Sequence, residues 1–227
     1  MRVSETYFMD RRDGGRQLAK ALEGRNLKDP IVLALPRGGV PVAYEIARVL
    51  HAPLDLLMVR KIGAPGHPEY GIGGVVDGEN PQLVLNDEIV QALQPDERYL
   101  AAEMHRQLHE IERRRQAYLG GRKPLPVRGR TVVLVDDGIA TGGTMRVAIR
   151  ALRKAGAERI VVAVPVAPRD TIDRIGKEAD DVVCLSMPEP FHAVGLHYRD
   201  FDQTSDAEVV QLLDRARAVR MNVSETS

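Results

Sequence analysis

Tryptophan is absent, cysteine occurs once, and the six Tyr and three Phe make up only 4% of the 227 residues. So few rings leave the chain without the stacking platforms of single-strand nucleic-acid readers. A lone cysteine, Cys184, cannot close an intrachain disulfide, and no Cys/His spacing suits zinc, so a reducing, cytoplasmic setting is expected. An excess of one charge is missing as well: 32 Lys and Arg balance 32 Asp and Glu. General binders of nucleic acid or anionic membrane carry a basic excess, so any anion site here must be local. The segment from Met1 to Asp10 lacks the apolar core of a signal peptide. The longest apolar run, Ile160 to Val166, is far short of the roughly 20 residues that cross a bilayer. Neither secretion nor membrane insertion is expected.

What is present is the composition of a globular domain, 44% hydrophobic and 28% charged. Apolar, β-branched runs at Ile31–Leu35, Leu54–Arg60, Thr131–Val135, Arg159–Val164 and Asp181–Leu185 alternate with helical patterns. The latter lie at Gly14–Leu22, Val40–Leu50, Asp87–Leu93, Asp96–Tyr118, Thr144–Ala155, Asp170–Gly176 and Asp206–Val219. This alternation predicts an α/β fold, a mainly parallel twisted sheet flanked by helices. The chain reads as one domain with a core over about 14–185. Within it, about 61–78 is rich in Gly and Pro and reads as a flexible loop with room for a short hairpin, and about 95–119 is an inserted helix. A tract at about 186–220 would form a hood and tail.

The most informative segment runs Val132-Val-Leu-Val-Asp-Asp-Gly-Ile-Ala-Thr-Gly-Gly-Thr144 and leads into a helix. A buried strand brings Asp136 and Asp137 to its carboxyl end, where open α/β sheets bind ligands. The loop that follows, Ala140, Thr141, Gly142, Gly143 and Thr144, permits close backbone approach and offers hydroxyls and the N–H groups of a helix start to a phosphate. Paired carboxylates beside a phosphate cradle suit a sugar phosphate. The segment lacks the Gly-Lys-Ser/Thr of a Walker loop and the spacing of a dinucleotide turn.

This segment resembles the phosphoribosyl-pyrophosphate (PRPP) signature of the type I phosphoribosyltransferases at each position that defines it. The resemblance extends to Leu35-Pro-Arg-Gly-Gly39, which opens a helix where that family places a pyrophosphate-binding turn, often with a cis peptide. It implies Arg37, Gly38 and Gly39 as pyrophosphate ligands. Arg60 and Lys61 are similar to the start of the family's flexible catalytic loop, which would bring a cation to the departing diphosphate; a cationic strand end beside a solvated loop is the plainer alternative. The resemblance further implies displacement of pyrophosphate from PRPP by a nitrogen nucleophile, with Asp136 and Asp137 binding the ribose and Asp137 aiding catalysis. It implies Mg2+ held mainly by the substrate, with Asp136, Asp137 and Asp200 as candidate protein ligands. The expected partners are PRPP and a base, with no membrane or nucleic acid, and a homodimer is compatible with the family. The alternative is a PRPP- or nucleotide-sensing regulator on the same fold.

Ala140 stands where the hypoxanthine-guanine branch of the family has an acid, so that branch is disfavoured and the acceptor stays open. Acceptor contacts are sought in the hood at Phe191, Val194 and Tyr198, although a structural cap with its aromatics turned inward fits the same residues. His67, in the Gly/Pro-rich segment, is a further candidate contact. His105 and His109 stand at zinc-compatible spacing but have no third ligand. The basic stretch from Arg106 to Arg130 reads as a solvated, salt-bridged face with a basic turn, an RNA or partner surface being the alternative.

Overall fold

In the computed structural model, residues 8–224 are described. Five parallel strands form the central sheet: β1 (Pro30–Ala34), β2 (Leu54–Leu56), β6 (Thr131–Val135), β7 (Arg159–Val166) and β8 (Asp181–Ser186), in the order β2-β1-β6-β7-β8. Their near-continuous hydrophobicity follows from burial on both faces. Alternate residues feed two cores: Val32, Ala34, Val133 and Val135 face one, and Ile31, Leu33, Val132 and Leu134 the other. Helices α1 (Arg11–Leu22), α2 (Gly39–Val49) and α7 (Asp206–Ser224) cover the first core. Helices α5 (Gly143–Lys154) and α6 (Arg169–Ile175) cover the second. The α/β class expected from the sequence is the one found. Strand order reverses between β1 and β6, which makes the crevice at their carboxyl ends the default ligand position.

Two differences concern the middle of the chain. The run Leu54–Arg60 is not one strand: it leaves the central sheet after Leu56 and re-enters regular structure as β3 (Val59–Ala64). The break is fixed by Asp77, whose carboxylate accepts from the Met58 amide at 2.7 Å while its own amide donates to the Met58 carbonyl. The Gly/Pro-rich segment expected as a flexible loop is then an antiparallel ribbon, β3-β4-β5, completed by β4 (His67–Val76) and β5 (Gln82–Leu85). Its glycines are places of close approach: a Cβ on Gly73 would lie 2.3 Å from the Val84 carbonyl, and one on Gly74 3.0 Å from the Val147 side chain of α5. Helix α3 (Asp87–Leu93), capped by Asn86, follows the ribbon, and the inserted helix is α4 (Glu97–Leu119), capped by Asp96. No helix among the described residues is long and apolar enough to cross a membrane.

Candidate functional site

Because β1 and β6 are in-register parallel neighbours, the chain segments that follow them emerge side by side; Leu35 N donates to the Val135 carbonyl at 2.9 Å. The Pro36–Arg37 peptide is cis, and Gly38 and Gly39 lead into α2. Two glycines are needed there for lack of space. A Cβ on Gly38 would fall 2.0 Å from Oδ2 of Asp137, and one on Gly39 2.8 Å from the Val135 carbonyl. The two motifs that the sequence separates by about a hundred residues therefore touch.

Asp136 and Asp137 are only partly exposed. The Asp137 amide donates to Asp136 Oδ1 at 2.9 Å. Burial, and next the charge of Asp137, push the Asp136 carboxyl well above the usual carboxylate range, while the charge of Arg11 opposes the rise. Past the acids, Gly142 adopts φ +80° at the start of α5, where a Cβ would meet the Thr171 methyl at 2.9 Å. The first bond of that helix runs from Arg146 N to the Gly142 carbonyl, so the amides of Gly143, Thr144 and Met145 precede the intrahelical ladder. Thr171 Oγ1 donates to the Ala140 carbonyl at 2.9 Å and holds the loop from below. Ala140, Thr141 and Gly143 are exposed.

Arg11 is the residue that sequence reasoning missed. The sequence pattern starts the first helix at Gly14, but Asp10 caps it and places Arg11 in its first turn. Arg11 Nε lies 2.8 Å from Asp137 Oδ2, with the two side chains only 12% and 15% exposed. Its Nη1 donates to the Asp202 carbonyl at 2.6 Å, and its guanidinium covers the Phe201 ring at 3.9 Å. No local pattern announces a contact spanning 126 residues.

The hood packs against the same loop. Val194 meets Gly138, whose absent Cβ would sit 2.5 Å from a Val194 methyl. Tyr198 follows the second of the two expectations, an aromatic turned inward as part of a cap. Its ring is buried between Phe8 and Phe201 at 5.4 and 5.0 Å, and its hydroxyl donates to the Asp137 carbonyl. Phe191 is half-buried and stacks on His197 at 5.4 Å. Asp200 is exposed, and its carboxylate accepts from the Asp202 amide; no contact links it to Asp136 or Asp137 among the described residues.

The two cations at the base of the ribbon diverge, as alternation along β3 requires. Arg60 turns to α4, where Nε donates to Gln107 at 3.0 Å. Lys61 lies on the opposite face and lines a cavity of about 230 Å³ with Asn86, Gly143, Thr144 and Arg146. Only Lys61 is thus directed toward the start of α5. His67 sits near the ribbon tip beside Tyr70 and Leu93. Arg37 pairs with Asp206 of α7 at 3.3 Å, an acid that also accepts from Tyr118 at 2.7 Å.

The basic stretch is only in part a solvated face. Arg106, Arg113 and Arg114 pair with Glu103 and Glu110 along α4. Arg115, by contrast, is 5% exposed and reaches Asp77 at 2.7 Å and Asp55 at 3.4 Å. Among the described residues no group of three or more His, Cys, Asp or Glu is arranged to hold a metal, and the His105 and His109 rings lie 6.3 Å apart. Burial pushes the Cys184 thiol up to about 11, which makes it a poor nucleophile.

The phosphoribosyl transferase domain family matches residues 10–199. A Mycobacterium tuberculosis protein, Rv0571c, provisionally named a phosphoribosyl transferase, is 49% identical over 209 residues, which is 92% of this chain and 47% of that one. The chain spans about half the length of that curated relative. A ribose-phosphate pyrophosphokinase of Methanopyrus kandleri is 32% identical over 185 residues, covering 70% of this chain and 62% of the kinase. Among solved structures, TT1426 of Thermus thermophilus superposes with a TM-score of 0.81 at 44% identity, covering 91% of this chain and 97% of that one.

Proposed function

The chain belongs to the phosphoribosyl transferase domain family, and from that premise we propose that it moves the 5-phosphoribosyl group of PRPP to a nitrogenous acceptor, a nucleobase by class. The bond from C1 to the diphosphate oxygen breaks, a bond from C1 to nitrogen forms, and the acceptor gives up a proton. The single observation that carries the reading is the contact of Gly38 with the Asp137 carboxylate at the β1/β6 switch point. It supports the reading because it brings the acid pair beside the two glycine-containing turns that would serve as phosphate cradles.

In this reading Asp136 and Asp137 accept from the ribose hydroxyls, and Asp137 lies beside the reacting carbon. The amides from Ala140 to Thr144, at the positive end of α5, hold the 5′-phosphate. The turn Arg37-Gly38-Gly39 receives the diphosphate, and Lys61 meets the charge that develops as it leaves. Arg60, engaged by Gln107, supports the ribbon instead of touching substrate. Phe191 and Val194 are the acceptor contacts; Tyr198 acts through the loop it braces.

The donor set fits Mg2+ in a limited way: two adjacent carboxylates supply hard oxygen ligands but no cage, as suits an ion that keeps water and substrate oxygens. Asp136 and Asp137 would hold it, and when bound it neutralises the leaving diphosphate. We read the chain as one domain in which residues 186–220 form the hood and tail.

The test is pyrophosphate release from PRPP and Mg2+ across purines, pyrimidines and simple amines, with PRPP affinity followed by calorimetry. Release with one acceptor class, and loss of PRPP affinity in an Asp136→Asn/Asp137→Asn variant that remains folded, is the expected result. Unchanged affinity in that variant would sink the site. Silence across the panel with PRPP still bound by the unaltered chain would shift the reading to a PRPP sensor.

A further inference from the structure

Helix α4 runs along the ribbon and meets it at three levels through polar side chains. Toward the tip, Tyr99 Oη donates to the Gly63 carbonyl at 2.8 Å. In the middle, Gln107 accepts from Arg60 at 3.0 Å and is itself oriented by Glu103, which accepts from Gln107 Nε2 at 2.6 Å. At the root, Arg115 engages Asp77, the residue that locks the Met58 amide where the chain passes from β2 into β3. These anchors recur every eight residues, about 12 Å of helix rise per step. Glu103 and Ile111 lie between them on the same face and are both buried. The face of β3 that carries Arg60 and Ile62 packs on α4, whereas the face that carries Val59 and Lys61 looks to α5. The ribbon is therefore held between two helices.

We propose that Tyr99, Gln107 and Arg115 are positioning residues, and that α4 is a splint fixing the ribbon so that Lys61 stands over the start of α5 before any ligand arrives. For the ribbon to swing away from α4 its anchors at Tyr99 and Gln107 would have to break, whereas its other face keeps an open cavity of about 230 Å³ between Lys61 and the start of α5. The role in turnover rests on the PRPP reading, whereas the splint itself does not.

Hydrogen exchange on the whole chain without ligand tests the splint directly. Peptides covering 59–76 should be protected in the unaltered protein. They should exchange about fivefold or more faster in Tyr99→Phe and in Gln107→Ala, the size of one lost hydrogen bond, while peptides over 131–135 and 159–164 keep their rates. Unprotected ribbon amides in the parent, or unchanged rates in both variants, would overturn the proposal. Tyr99→Phe removes only a hydroxyl, so it serves if Gln107→Ala unfolds. In turnover, Gln107→Ala should lower kcat and leave the KM for PRPP, and it should add nothing in a Lys61→Ala background, since both act through one cation. Additive losses would overturn the positioning role. A parent chain that neither binds nor consumes PRPP would defeat the functional reading and leave the exchange result to decide the splint.

Discussion

Replacing Asp77 by asparagine probes the root of the ribbon, where two carboxylates share one guanidinium. Asp55, Asp77 and Arg115 have side chains only 5–6% exposed. Burial raises the Asp77 carboxyl from 3.8 to about 6; Arg115 and the Met58 amide oppose the rise, and Asp55 adds to it. The sign follows from proton counts. Between about pH 4 and 6 the folded chain keeps a proton that the unfolded chain has released, so stability falls as pH rises through that window and levels off above it. A shift of about two units corresponds to roughly 3 kcal/mol over the whole window. The amide side chain of Asp77→Asn cannot ionise and still offers an oxygen to the Met58 amide; its NH2 then faces Arg115 Nη1, a cost that is the same at every pH, and Arg115 keeps its partner Asp55. The variant should therefore gain on the parent by up to about 3 kcal/mol between pH 4 and pH 7.5. Urea unfolding of both proteins at four or five pH values gives the difference directly, with other titrating groups cancelling. A difference that stays flat would refute the assignment. One that grows in favour of the parent would show Arg115 holding Asp77 ionised and the burial argument mistaken.

Three substitutions address the site. Gly38→Ala puts a methyl 2.0 Å from the Asp137 carboxylate. It should push the Asp137 carboxylate off its ion pair with Arg11, lower stability by about 1–3 kcal/mol and weaken PRPP binding; full affinity by calorimetry in the folded variant would separate this turn from the ligand. Lys61→Ala should lower kcat more than PRPP affinity, and equal losses in both would remove Lys61 from the transition state. Arg11→Gln leaves Asp137 without its cation. PRPP affinity should fall and be partly restored in Arg11→Lys, and equal affinities in all three proteins would reduce Arg11 to a tether of the hood.

The central sheet could be read from the chain because burial on both faces forces uninterrupted apolar runs, as at Val132–Val135 and Ile160–Val164. The acid pair and the glycine turn were legible for a related reason: only particular residues tolerate such close approach, and the lack of room for a Cβ at Gly38 and Gly142 shows why. The ribbon was legible only as room for a short hairpin, not in its full three-stranded extent. Its strand β4 holds Pro68, Gly71, Gly73 and Gly74, residues that favour turns by propensity, and it is a strand only because β3 and β5 pair with it and α5 needs the space those glycines leave. A signal did exist in Pro81-Gln-Leu-Val-Leu85, an apolar run after a Gly-Glu-Asn-Pro turn, which marks β5. Arg11 and Arg115 were beyond reach because both are ion pairs across long stretches of chain, and neither position differs locally from an exposed helix arginine. Tyr198 shows the converse: an aromatic in a variable tract suggests a stacking surface, but its direction is set by Phe8 and by the carbonyl of Asp137, neither of which is near it in sequence.

A net charge of zero is compatible with a site for a ligand bearing several phosphates, and the ion pairs show how. Arg11 is engaged by Asp137 and Arg37 by Asp206, so neither guanidinium adds an unbalanced charge to the crevice. On the proposed reading, what would face a phosphate is backbone: the turn at Gly38 and Gly39 and the first amides of α5, whose first turn contains no acidic residue. Such donors are fixed by the fold and do not have to be reoriented on binding. The negative element, Asp136 beside Asp137, is the one that costs free energy, since burial and mutual repulsion raise Asp136, and Arg11 is placed to limit that cost. On that reading selectivity would follow from position: a phosphate alone would meet the amides but gain nothing from the acids, a neutral sugar would meet only the acids, and a phosphorylated ribose would engage both at once.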